Sequence, residues 1–147
     1  MITDILLQPI GCLGLALVLG ALVGVERQLR HHPAGLHTNA LVALGSAAYM
    51  VAAAGNAGDS PARVMAQITT GIGFLCGGVI MRQGATVLGL NTAATVWCAA
   101  AVGVLAGARM PELATATASM IVGANIVLHW LEHRIFPAVP DRTNSPD

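Results

Sequence analysis

A long apolar stretch ends at Glu26 and at the Arg-Gln pair that begins with Arg27. A later apolar stretch ends at a second Arg-Gln pair, which begins with Arg82. Each pair is followed by the pattern Gly-Leu-x-Thr, at residues 35–38 and 89–92. Helices that begin there would carry unpaired backbone N–H groups and partial positive charge. With the two arginines, these helix ends could bind an anion such as phosphate or a carboxylate. The structural alternative is that Glu26 supplies the carboxylate.

Threonine and asparagine side chains enlarge this candidate cluster, because both residue types cap helix N-termini. An ionisable residue inside a membrane span is a candidate for function, because burying its charge in lipid is costly. Near the interface a snorkelling anchor is an equally good interpretation. The predicted functional polar cluster comprises Glu26, Arg27, Thr38, Asn39, Arg82, Asn91 and Thr92.

The elements that position these residues are predicted by five stretches without Asp, Glu, Lys or Arg. The chain is 55% hydrophobic and only 10% charged, whereas soluble domains carry about 25% charged residues. Each stretch can hold a helix of about 20 residues, which crosses a bilayer. The fold class is therefore all-α, a polytopic membrane protein with five transmembrane helices. The helices are expected at roughly 5–26, 38–55, 63–82, 90–109 and 112–134.

The charges predict an orientation in the membrane. With five crossings, Arg27, Arg30, Arg82, Arg134 and Arg142 fall on one side, and the remaining two arginines on the other. The positive-inside rule places the five-arginine side in the cytoplasm, with the N-terminus outside. Residues 1–136 form the predicted transmembrane domain, and 137–147 a short cytoplasmic tail.

An internal repeat is predicted from the same motifs. Arg27 aligns with Arg82, and Gly35 with Gly89, which gives two hairpins of one design: helices 1 and 2, and helices 3 and 4. Both would run outside–inside–outside, so the repeat is parallel. Helix 5 is not part of the repeat. Chance similarity between Gly- and Ala-rich helices is the alternative.

Three Gly-x-x-x-Gly patterns predict close helix packing, because glycine lets two backbones approach each other. They lie on helices 1, 3 and 4. Packing within the five-helix unit is favoured over self-association, although a homo-oligomer stays possible. The six residues are Gly20, Gly24, Gly73, Gly77, Gly103 and Gly107.

Other chemistries find little support. The three cysteines lie inside apolar stretches and are interpreted as packing residues. His129–His133 matches H-x-x-E-H, but a third metal ligand is not evident, and an interfacial belt is the preferred interpretation. The sequence predicts no enzyme, no metal and no cofactor. Without lysine or a basic cluster it also predicts no nucleic-acid partner.

Four segments together resemble the membrane domain of the MgtC/SapB family, in the family's order, over about residues 10–108. This chain has His37 where the family usually has arginine, and Cys76 where glycine is usual. The segments read GALVGVER at 20–27, AGLHT with LVALG at 34–45, GIGFLCGGVI at 71–80, and GLNTAATVW with AAVG at 89–103.

The resemblance implies a bacterial inner-membrane protein of about five helices. Several members are linked to growth at low magnesium or to survival inside host cells, and longer members carry a soluble C-terminal domain. The expected function is non-enzymatic regulation of adaptation to low magnesium or stress, through other inner-membrane proteins. The alternative is a small ion or solute transporter with a polar site on the cytoplasmic side. The expected partners are the lipid bilayer and other membrane proteins.

Overall fold

Five helices and one short β-hairpin make up the part of the protein that the structure describes. The computed structural model describes residues 2–55, 60–83 and 86–135. The predicted tail at 137–147 lies outside the described residues, so that assignment stays a prediction. The helices are α1 (Ile2–Leu29), α2 (Leu36–Gly55), α3 (Pro61–Val79), α4 (Leu90–Gly107) and α5 (Pro111–Ile135), and the strands are β1 (Met81–Gln83) and β2 (Thr86–Leu88).

Four of these helices are long and apolar enough to cross a membrane: α1 from Gln8, α2, α4, and α5 as far as Leu131. Among the described residues α3 does not meet the same standard, and its first half carries Arg63 and Gln67. Helix α3 still runs along the bundle in the direction opposite to α2, because it follows α2 and ends beside the start of α4. At 19 residues it is about 28 Å long.

Small side chains form the main core, where α1, α2, α4 and α5 meet. Ala16, Val23, Ala47, Val102 and Ala114 are all fully buried there. Such residues allow close helix contact, which is the packing device available to helices surrounded by lipid. The predicted all-α bundle of five helices is therefore confirmed, with α4 at its centre and α3 packed on the outside of α4 through Ile72.

Large apolar side chains point outward around this core. Phe74 is 84% exposed, Met120 75% and Trp130 62%. Soluble monomers rarely expose large apolar patches. Together with the four apolar helices, this exposure shows a membrane protein.

The connection between α3 and α4 differs from the prediction. Helix 3 was expected to reach residue 82, but α3 ends at Val79 and an antiparallel hairpin follows, with Arg82 opposite Val87. β-branched Thr86 and Val87 favour the extended backbone. Gly89 then starts α4 with a φ of +89°. An added Cβ there would meet the backbone of Val79, so both conformation and space require glycine.

Candidate functional site

The first and fourth helices meet at one end of the bundle. We call the set Glu26, Arg27, Asn39 and Thr92, with the loop 30–35 that adjoins them, the polar end. Helix α1 was expected to stop at about residue 26, but it continues to Leu29. Gln28 and Leu29 favour helix, and the extra turn carries Arg27 into the contact with α4. Arg27, Asn39 and Thr92 are all buried.

Arg27 is the central residue of this site. Its guanidinium Nη2 donates a hydrogen bond of 2.8 Å to Thr92 Oγ1. Arg27 is only 2% exposed, and its Nε is buried without a partner among the described residues. The sequence predicted that both residues belong to one cluster. The structure adds that this contact joins the first helical hairpin, α1 with α2, to the second, α3 with α4, since α1 meets the start of α4.

Glu26 does not pair with Arg27 in the described structure. Its Oε1 lies 2.6 Å from Arg30 Nε, one turn further along the chain, while its Oε2 is buried without a partner among the described residues. Glu26 therefore forms its ion pair with Arg30, a residue outside the predicted cluster, and the alternative in which Glu26 supplies the carboxylate of the site stays a prediction.

Asn39 has a different task from the expected one. It was expected to cap free N–H groups of a helix, but it lies inside α2 and its Nδ2 donates to Ala34 O at 2.6 Å and to Gly35 O at 2.9 Å. Asn39 is fully buried. The side chain therefore ties the loop between α1 and α2 onto the helix.

The other members of the predicted cluster lie outside this buried contact. Thr38 and Asn91 are exposed, although the residue that follows each of them in the sequence is buried. Arg82 is exposed on β1 rather than at the end of a helix. The two hairpins are thus not equivalent: Arg27 and Thr92 are buried, whereas their aligned counterparts Arg82 and Thr38 are exposed.

Two of the three glycine pairs bring α2 into close contact with its neighbours. A Cβ added at Gly20 would lie 2.6 Å from Asn39 O, and one at Gly24 would lie 2.6 Å from Leu36 Cα. Along the same face of α2, a Cβ at Gly103 or Gly107 would meet the backbone of Ala43 or Ala47. The α1 and α4 pairs therefore both pack closely on this face of α2, and the α1 pair lies against Asn39 at the polar end.

The pair on α3 behaves differently. A Cβ added at Gly73 or Gly77 would meet nothing within 4 Å. Both positions face away from the neighbouring helices, although the spacing is the same as on α1 and α4. A sequence pattern for close packing does not specify which face of a helix meets a neighbour.

His32 lies in the loop at the polar end and was not singled out in the predicted cluster. Burial lowers its pKa below the ordinary value of 6.5, and the positive charge of Arg27 lowers it further. Glu26 acts in the opposite direction, while His129 of α5 and Arg30 add to the lowering. His32 therefore binds a proton less readily than a free histidine does at the same pH.

The described residues contain no group that could hold a metal ion. Within the part of the chain that the structure describes, no three His, Cys, Asp or Glu residues lie together as a metal site. The side chains of Glu132 and His133 lie outside the described residues, so the interpretation of the H-x-x-E-H pattern stays a prediction. The polar end offers the buried guanidinium of Arg27, the hydroxyl of Thr92, the carboxylate of Glu26, the amide of Asn39 and a helix N-terminus.

Known proteins match most of the chain. The model of the MgtC family matches residues 13–134. The MgtC protein of Salmonella typhimurium strain LT2 is 52% identical over 120 residues, which cover 82% of this chain and 52% of that protein. The MgtC protein of Brucella abortus strain 2308 is 52% identical over 121 residues, covering 82% and 51%.

This chain therefore spans about half the length of these curated relatives. No solved structure matches it significantly. The matched range contains all four segments on which the resemblance rested, and it includes Arg27 and Thr92. The chain belongs to the MgtC family.

Proposed function

We propose that this protein supports bacterial adaptation to low magnesium by acting on other inner-membrane proteins, without catalysis of its own. Family membership is the observation that carries the proposal, because 52% of the residues are identical to proteins named MgtC over 82% of the chain. The polar end is the part of the molecule that we assign to this role.

The polar end is proposed to face the cytoplasm. Arg27 and Arg30 lie at this end. Arg82 lies on the β-hairpin, β1 with β2, which leads into α4 at the same end. Arg109 lies at the turn after α4, at the opposite end. The excess of arginine on one side is the signal that orients polytopic proteins with that side inward. The bacterial inner membrane is the location that fits this orientation and the family.

The exposed side of α3 is proposed as the partner surface. Phe74 protrudes there, and Gly73 and Gly77 leave the backbone open to a close neighbour. Small residues of this kind are where transmembrane helices approach each other.

Growth at low magnesium tests the proposal. In a strain that lacks its own MgtC-family gene, this chain should restore growth at low magnesium. Arg27→Met should abolish the rescue, because it removes the buried guanidinium from the polar end. Arg109→Met is the matched control, since it removes one arginine from an exposed turn, and it should rescue like the unaltered chain.

Membrane abundance must be equal in all strains. If the unaltered chain inserts but does not rescue, the proposed function is wrong. If Arg27→Met rescues fully, the polar end is not the functional site. The transporter alternative predicts instead that the purified chain in liposomes moves an ion at a saturable rate, which Arg27→Met would stop.

A further inference from the structure

Arg27 is a buried cation that forms no ion pair with a described residue. One guanidinium nitrogen bonds to the neutral hydroxyl of Thr92, and Nε has no partner among the described residues. The adjacent carboxylate of Glu26 is held by Arg30 at 2.6 Å. A buried charge destabilises a protein unless it is paired or hydrogen-bonded. The Nε donor of Arg27 therefore has no acceptor among the described residues, although the negative charge of the neighbouring Glu26 partly offsets the charge of Arg27.

The helix that Arg27 contacts adds a second positive feature. Thr92 is the third residue of α4, which begins after Gly89 and has no side-chain cap. The first N–H groups of a helix have no partner within the helix, and this end carries partial positive charge. A cation placed there is repelled by the helix dipole. Two positive features thus converge on one point, which is the arrangement that binds anions.

We propose that Arg27, Thr92 and the first turn of α4 bind a phosphate group, either as free inorganic phosphate or as the headgroup of an anionic lipid. The inference rests on the role proposed above for the polar end and names its ligand class. Arg27 Nε would donate to one phosphate oxygen. The Thr92 hydroxyl accepts from Arg27 and can donate its own hydrogen to a second oxygen. Backbone N–H groups of the α4 first turn would donate to a third.

Phosphate suits these donors better than chloride does. The guanidinium presents planar, directional N–H donors that match the oxygens of a phosphate group. Glycine at position 89 allows the φ of +89° with which the chain turns into α4, and no side chain caps the start of that helix. The position of Arg27 near the end of an apolar helix is also the level at which lipid headgroups lie.

Thermal unfolding of the purified chain tests the inference. The protein is prepared in a maltoside detergent without phosphate and is titrated with sodium phosphate, against sodium chloride at equal ionic strength. A second series adds dioleoyl phosphatidic acid, against dioleoylglycerol, which lacks the phosphate. Saturating ligand should raise the melting temperature by about 5 °C. A response to sodium phosphate identifies free phosphate, and a response to phosphatidic acid alone identifies a lipid headgroup.

Variants decide whether the response comes from this site. Arg27→Met should lose it, and Arg109→Met, which removes an arginine from the opposite end, should keep it. If Arg27→Met does not fold, Thr92→Val is used, and its apparent Kd should rise at least roughly tenfold. The inference is overturned if neither phosphate source stabilises the protein, or if the folded variant responds like the unaltered chain. Because purified protein is measured, a failure to bind is distinct from a failure to rescue growth.

Discussion

Replacing Asn39 with aspartate should destabilise the protein by about 3–5 kcal/mol, because an unpaired charge would be buried. The exchange keeps the shape of the side chain and removes the Nδ2 donor. The carboxylate would face the carbonyl oxygens of Ala34 and Gly35, which now accept hydrogen bonds of 2.6 and 2.9 Å. Since Asn39 is fully buried, water would not compensate.

Chemical denaturation in detergent measures this change. Asn91→Asp is the matched control, because Asn91 is exposed in the first turn of α4, where an acidic side chain is favourable. Only the ionised form of the introduced carboxyl carries the cost of a buried charge. The defect should therefore be large at neutral pH and shrink as the pH falls toward the unfolded-state pKa of an aspartate, about 3.9. Equal stability of the two variants at about pH 7 would show that Asn39 does not hold the loop.

Gly103→Val is expected to produce a second large loss, at least about 3 kcal/mol of unfolding free energy, because it overpacks a tight contact. A Cβ at Gly103 would lie 2.8 Å from both the Cα and the carbonyl carbon of Ala43. Those are backbone atoms, so α4 and α2 would have to separate as rigid helices.

Gly73→Val on α3 is its control, since a Cβ there meets nothing within 4 Å. Both variants introduce the same β-branched residue into a helix, so their intrinsic helix propensities change alike. The difference between their denaturation midpoints in detergent isolates the contact between α2 and α4. A loss in Gly73→Val as large as that in Gly103→Val would mean that the contact contributes little.

The helices themselves could be predicted well from the sequence. Charge-free stretches and small residues indicated five helices close to the observed bounds, since lipid excludes charge over a fixed length. The hairpin at 81–88 could not be predicted in this way. Its two strands have only three residues each, and Arg82 in the first was interpreted as the end of a helix.

The polar cluster could be predicted only in part. Arg27 and Thr92 were proposed to act together because both belong to the repeated motifs. The repeat also implied that Thr38 and Arg82 would be equivalent to them, yet those two are exposed. Which copy of a motif becomes buried depends on how the hairpins pack, and that information lies in contacts distant in sequence, such as Gly103 with Ala43.

The distinction between Gly103 and Gly73 has the same origin. Both begin a Gly-x-x-x-Gly pattern on an apolar helix, so their local sequences predict the same packing. Only Gly103 faces α2. The task of Asn39 was hidden for a similar reason, because its acceptors belong to the preceding loop and their positions follow from the turn between α1 and α2.

A double-mutant cycle on Arg27 and Thr92 measures most directly whether these two side chains join α1 to α4. The free energies of unfolding of Arg27→Met, Thr92→Val and the double variant are compared with that of the unaltered chain in detergent. A hydrogen bond to a charged group contributes about 1.5–3 kcal/mol, so we expect a coupling energy of that size. If the loss in the double variant equals the sum of the two single losses to within about 0.5 kcal/mol, the two side chains act as independent sites. That result would contradict the contact on which the polar end depends.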